Sequence, residues 1–181
     1  MKTLTIINRK GIEYTIKVSD RDFERVSALK WHISPNGYAV HTLPNHSKLP
    51  MHRFILGVND SNLCVDHING DPLDNRRENL RPATMSQNCA NRTKSAGKTS
   101  AYKGVSKRAN GTYEAYIQED GKKKHIGYYQ SELAAAAAYD KKALERFGAF
   151  ALINFPPTLY VRSLCDMGAI NADIFRAIQT V

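Results

Sequence analysis

Cys64-Val65-Asp66-His67-Ile68-Asn69-Gly70-Asp71-Pro72-Leu73-Asp74-Asn75-Arg76-Arg77-Glu78-Asn79-Leu80-Arg81-Pro82-Ala83-Thr84-Met85-Ser86-Gln87-Asn88 is the stretch on which the fold turns. Residues 63–65 read as a strand that delivers Asp66 and His67 at its end. Residues 69–79 are turn formers and charges, hence a loop, and 80–83 can make a short return strand. Thr84 with Gln87 three places on is a capping box, so a helix starts there and Asn88 lies on its first turn. Strand, loop, strand, helix can gather Asp66, His67, Asn79 and Asn88 from distant places in the chain. A carboxylate and an amide oxygen are hard donors suited to Mg²⁺ or Mn²⁺, with water and phosphate completing the shell. A neutral imidazole beside such a cation can take a proton from an attacking water near pH 7. The set predicts metal-assisted hydrolysis of a phosphodiester.

Upstream, 4–7 and 14–18 read as two strands around Gly11. Ser19-Asp20 opens a short helix with Phe23, Val26 and Leu29 at helical spacing. Residues 31–33 and 38–40 make a hairpin across Pro35-Asn36-Gly37. Downstream, Lys94-Ser95-Ala96-Gly97-Lys98-Thr99-Ser100 is small and polar, a basic linker. Three strands follow, 102–107, 112–118 and 123–128, joined by Asn110-Gly111 and Asp120-Gly121, which favour tight turns. A helix runs from Ser131 as N-cap to Phe147, with Gly148 as the stop. Its Ala134–Ala138 run offers a small-residue surface that can approach a sheet closely. One face of that sheet is then covered, and the other carries Tyr116, Gln118, Lys123 and His125, side chains able to meet phosphates and base edges in a major groove. The expected architecture is α+β: a β-rich N-terminal segment (1–50), a strand–loop–strand–helix unit (51–93), the linker (94–100), a three-stranded antiparallel sheet with its helix (101–156), and a tail of one or two short helices (157–181).

Composition agrees. The chain has 181 residues, with 26 Lys plus Arg against 17 Asp plus Glu, a net charge of +9. Such a surplus attracts polyanions, nucleic acid above all. Hydrophobic residues make up 42%, yet no apolar run approaches the roughly 20 residues that cross a bilayer. Met1-Lys2-Thr3 begins no signal peptide, so a cytoplasmic protein with no membrane partner and no small-molecule substrate is expected. Cys64, Cys89 and Cys165 are isolated, which argues against a cysteine zinc module and for buried thiols.

Two resemblances follow from these motifs. Met51-His52-Arg53 through Asn91-Arg92, with Asp66-His67-Ile68-Asn69-Gly70, Asn79-Leu80-Arg81 and Ser86-Gln87-Asn88, resembles the HNH nucleases of the homing-endonuclease type, built on a ββα-metal finger. The resemblance implies that Asp66 and Asn88 hold one divalent cation, that His67 activates water, and that Asn79 braces the loop and orients the imidazole. Arg53 is open to a phosphate contact or a packing role. Tyr102-Lys103-Gly104-Val105, Ile126-Gly127-Tyr128-Tyr129, Ala137-Ala138-Tyr139-Asp140 and Ile153-Asn154-Phe155-Pro156 resemble the plant ethylene-response-factor (Apetala-type) DNA-binding domain. That likeness implies DNA-facing positions at Lys103, Ser106, Arg108, Asn110, Tyr116, Gln118, Lys123 and His125. Together they imply a metal-dependent endonuclease of a mobile, homing-type phage element, acting on double-stranded DNA and leaving 5′-phosphate and 3′-hydroxyl ends. A non-catalytic DNA-binding regulator is the competing expectation.

Overall fold

A computed structural model describes residues 1–93 and 99–156; most of the expected linker, the expected tail helices and Cys165 lie outside the described residues. The chain divides into two compact units, Met1–Thr84 and Met85–Val181. The architecture is α+β, small sheets with short helices, as the sequence led one to expect.

In the first unit, β1 (Lys2–Ile7) pairs antiparallel with β2 (Glu13–Val18). The α1 helix (Asp20–Ser27) follows, its i, i+4 pair Asp22 and Val26 buried together on one face. A hairpin of β3 (His32–Ile33) and β4 (Ala39–Thr42) takes a third strand, β5 (Lys48–Pro50), which runs straight into α2 (Met51–Leu56). Neither β5 nor α2 is foreshadowed by pattern: three and six residues are too few to establish a period. Then β6 (Cys64–His67) pairs with β8 (Leu80–Ala83). Between them, two residues of the expected loop form β7 (Asp74–Asn75), which adds to β2 in parallel register.

One apolar core joins these parts. Ile16 and Val18 from β2, Val26 from α1, Met51 and Ile55 from α2, Val65 from β6 and Leu80 from β8 pack in a single buried cluster with Trp31 and Ala39. A half-buried ion pair crosses the same region: the Arg77 guanidinium takes the buried Asp22 with Nε–Oδ2 at 2.6 Å and a second bond at 2.9 Å. Arg77 also donates its backbone N–H to Ser19 Oγ and its side chain to the Ile55 carbonyl. The loop that follows His67 is therefore anchored to α1 and α2, and residues on both sides of position 50 share one core.

In the second unit, α3 (Met85–Ala90) precedes an antiparallel sheet ordered β11-β10-β9, with β9 (Val105–Lys107), β10 (Tyr113–Glu119) and β11 (Lys122–Tyr129). Asp120 and Gly121 both have positive φ (51° and 75°), the pairing a tight hairpin turn requires. The α4 helix (Glu132–Phe147) lays Ala135 and Ala136, both fully buried, against Val105 and Ala115. Gly104 sits where nothing larger fits. Its φ is +71°, and a Cβ there would come within 1.9 Å of the Tyr139 ring.

Asp140, fully buried on α4, accepts bonds from the Asn154 and Phe155 amides and from the Asn154 side chain. The Asn154 side chain in turn accepts from the Lys103 amide and donates to its carbonyl. The Tyr-Asp and Asn-Phe motifs of this region thus hold residues 154–155 against the segment that leads into β9. No helix among the described residues is long and apolar enough to cross a membrane.

Candidate active site and nucleic-acid interface

The β6–β8 ladder sets the first site. Its register puts Asp66 opposite Arg81 and His67 opposite Leu80. Arg81 Nε donates to Asp66 Oδ2 at 2.9 Å, and its terminal nitrogen lies 2.7 Å from the same oxygen. Asp66 is 3% exposed and His67 5%, so both functional groups are buried. The imidazole of His67 lies in an aromatic nest: the His52 ring from α2 meets it edge-on with centroids 5.2 Å apart, and Tyr38, before β4, lies 5.9 Å away. Tyr38 and His52 also contact each other edge-on at 5.4 Å.

Burial lowers the pKa of His67, while the Asn75 amide beside it and the Asp66, Asp71 and Asp74 carboxylates pull the other way. The net direction is down, which leaves the ring neutral at neutral pH. His52 is pushed down to about 3 by burial, with the His67 and Arg53 charges adding to it. It too is a neutral ring at physiological pH.

The loop beyond His67 is a closed hydrogen-bond system. Asn79 Oδ1 accepts from the Asn69 amide at 3.0 Å, and its Nδ2 donates to Asn69 Oδ1 and to the Asp74 carbonyl. The backbone of Ile68 donates to the Asn79 carbonyl. Asp74, fully buried, takes a two-pronged bond from Arg76, both prongs at 2.7 Å, and a further bond from Asn69. Arg76 lowers the Asp74 pKa, against the opposing effect of burial. The Asn79 side-chain bonds brace the loop, and the amide beside the imidazole belongs to Asn75.

The sequence-derived set is distributed as follows. Asp66, His67 and Asn79 lie together in the first unit; Asn88 stands on α3, in the second. Arg53 directs its guanidinium to the Leu63 and Asp60 carbonyls, bracing the approach to β6. No group of three His, Cys, Asp or Glu side chains among the described residues forms a metal cluster. One carboxylate and one amide oxygen still suit a hard cation that keeps most of its water, the ordinary way Mg²⁺ is bound. Tyr38, His52, Asn75 and Arg81 are given no site role by the sequence reading. The signals for Arg81 and His52 were available, in the strand register and in the His-Arg dipeptide; Tyr38 and Asn75 arrive through tertiary packing.

The second site is the uncovered face of the β11-β10-β9 sheet. Glu114 pairs with Ser106 and with Tyr128, Tyr116 with His125, and Gln118 with Lys123. A register shift at Ala115/Tyr116 skips Ile126, which turns inward to the core, and brings Tyr128 onto the outer face. Tyr128 is 58% exposed, whereas strict alternation along β11 places it on the other side. Arg108 stacks over the Tyr128 ring at 4.8 Å, Lys123 over Tyr116 at 4.2 Å, and His125 and Tyr128 lie with centroids 4.4 Å apart. Asn110 sits in the β9–β10 turn, its side chain accepting from Thr112. Lys103 points elsewhere: its ammonium donates to the Ala90 carbonyl at the end of α3, and burial pushes its pKa down to about 8, opposed by Cys89 and Asp140.

Comparison with known proteins adds family evidence to this geometry. The HNH endonuclease family model matches residues 55–90. An uncharacterized HNH endonuclease of Acanthamoeba polyphaga mimivirus is 37% identical over 134 residues, covering 71% of this chain and 68% of that protein. An AP2-like ethylene-responsive transcription factor of Arabidopsis thaliana is 39% identical over 94 residues, and the ethylene-responsive transcription factor WRI1 of the same plant is 32% identical over 94. These matches cover 45% and 46% of this chain but 22% of each plant protein, so the chain spans about a fifth of their length. No solved structure matches.

Proposed function

Since the chain belongs to the HNH endonuclease family and carries an AP2-like region, we propose that it is a metal-dependent DNA endonuclease of the homing type. The Asp66–His67 centre cuts double-stranded DNA, and the second unit's sheet engages the duplex. The observation that carries this reading is the pair Asp66 and His67 at one strand end, a carboxylate beside a neutral, enclosed imidazole, followed by a loop braced through Asn79.

In this reading Asp66 and the Asn88 amide oxygen would hold one divalent cation, Mg²⁺ or Mn²⁺. The cation supplies charge compensation at the scissile phosphate and the leaving oxygen. The chain's own residues do the rest. His67 takes a proton from the attacking water, for which a neutral ring is the required form. Tyr38 and His52 wall the imidazole and limit the side-chain rotamers it can adopt. Arg81 fixes the orientation of Asp66, and Asn79 keeps the loop from relaxing away from the strand end. Hydrolysis on this plan leaves a 5′-phosphate and a 3′-hydroxyl.

A plasmid-nicking assay with and without EDTA tests it. His67→Ala is expected to lower the cleavage rate by at least about 100-fold while duplex affinity stays within about twofold. Nicking by His67→Ala at the wild-type rate, or undiminished nicking in EDTA, would overturn the proposal. A wild-type chain that binds DNA and never cuts it would instead be behaving as a non-catalytic regulator.

A further inference from the structure

On the exposed sheet face one acid stands among the bases. Glu114 lies on β10, the middle strand of the sheet. Its carboxylate accepts from Lys123 Nζ at 3.0 Å and from His125 Nδ1 at 3.3 Å, with Arg108 3.7 Å away. Its side chain is 13% exposed. Burial alone would raise its pKa; the bonds and charges of Lys123 and His125 outweigh that and leave it lowered, so the group is ionised at neutral pH.

We propose that Glu114 determines the sequence preference of this sheet, by placing a carboxylate over the groove floor where it accepts from the exocyclic amino group of a cytosine. The inference rests on the reading of this face as the duplex-binding surface. A carboxylate is repelled by phosphate, so a sheet docked in the major groove must keep Glu114 away from the backbone. A middle strand meets that demand, since the outer positions, here Lys123 and His125 on β11 and Arg108 after β9, fall nearer the groove walls. Over the floor a carboxylate can only accept. Cytosine presents an N4 amino donor in the major groove with no acceptor on that base beside it, whereas adenine sets N7, an acceptor, next to its amino group. Cytosine is therefore the base that an ionised acceptor at this position favours. Glu114 also ties Arg108, Lys123 and His125 into one unit, so these donors approach the duplex already arranged.

The test is a binding selection from a randomised duplex library with the full-length chain in EDTA, so that no cleavage depletes the pool. The wild type is expected to enrich one cytosine at a fixed position, favoured about tenfold over the other bases. Glu114→Gln, nearly isosteric, should flatten that position and bind random duplex more tightly, because one negative charge has left the interface. Enrichment of another base, no enrichment, or an unchanged preference in Glu114→Gln would overturn the inference. If the double variant Arg108→Ala with Lys123→Ala keeps wild-type affinity and salt dependence, the sheet is not the binding surface, and the failure lies in that earlier reading.

Discussion

At the scale of single residues, Gly104 carries a double requirement that no other residue type meets. Its φ of +71° disfavours a side chain, and the Tyr139 ring occupies the space a Cβ would need. Gly104→Ala must rotate or displace a ring that is 4% exposed and packed on Ile117 and Phe147. The expected cost is about 3 kcal/mol, read as a fall in melting temperature on the order of 10 °C. A melting temperature within two degrees of wild type would show that the ring yields freely. Asp66 and His67 lie at the opposite extreme: their identities were plain in the sequence, whereas the aromatic rings that enclose His67 come from Tyr38 and His52, far from it along the chain. Contacts of that kind leave no trace in a local pattern.

Elements are where local pattern both succeeds and fails here. The β10–β11 hairpin was legible because Asp-Gly between two alternating runs specifies a turn and a register. The α4 helix was legible from its cap, its length and its stop. By contrast β7 is two residues inside a run of turn formers, stabilised by pairing with β2 and by the Asp74–Arg76 bond. That bond makes the loop sensitive to acid. Arg76 holds the Asp74 carboxyl below the usual carboxylate range, against the effect of burial. A lowered folded-state pKa gives stability that is fully present above the ordinary carboxylate value of about 4 and is lost as pH falls through the lowered value. Arg76→Leu should remove this contribution, leave a buried carboxylate unpaired and cost about 3 kcal/mol at pH 7. Urea unfolding at a series of pH values from 3 to 7 measures it; equal stability of the two proteins at pH 7 would remove the ion pair from the account.

At the scale of the whole molecule, cutting is proposed for the centre built on Asp66 and His67 with Asn88, and holding of the duplex for the β11-β10-β9 sheet. Such a division separates in mutants. Arg108→Ala with Lys123→Ala removes two cations of the sheet face and should reduce the slope of log affinity against log salt by about 2, with His67 untouched. Filter binding between low and moderate salt reads this; an unchanged slope would take the sheet out of the interface. The basic surplus, the α+β class, the nuclease motif and the hairpin-and-helix plan of the C-terminal region were all determined by the sequence itself, because turn chemistry, periodicity and charge are properties of neighbours along the chain. Tertiary structure alone decided that the N-terminal strands, α2 and the β6–β8 ladder share one core, that Asn75 and His52 flank the imidazole, and that a register shift turns Tyr128 outward beside Glu114. Which groups meet across a core or a sheet depends on register and packing between segments distant in sequence, and burial rewards those meetings only once the chain has closed on itself.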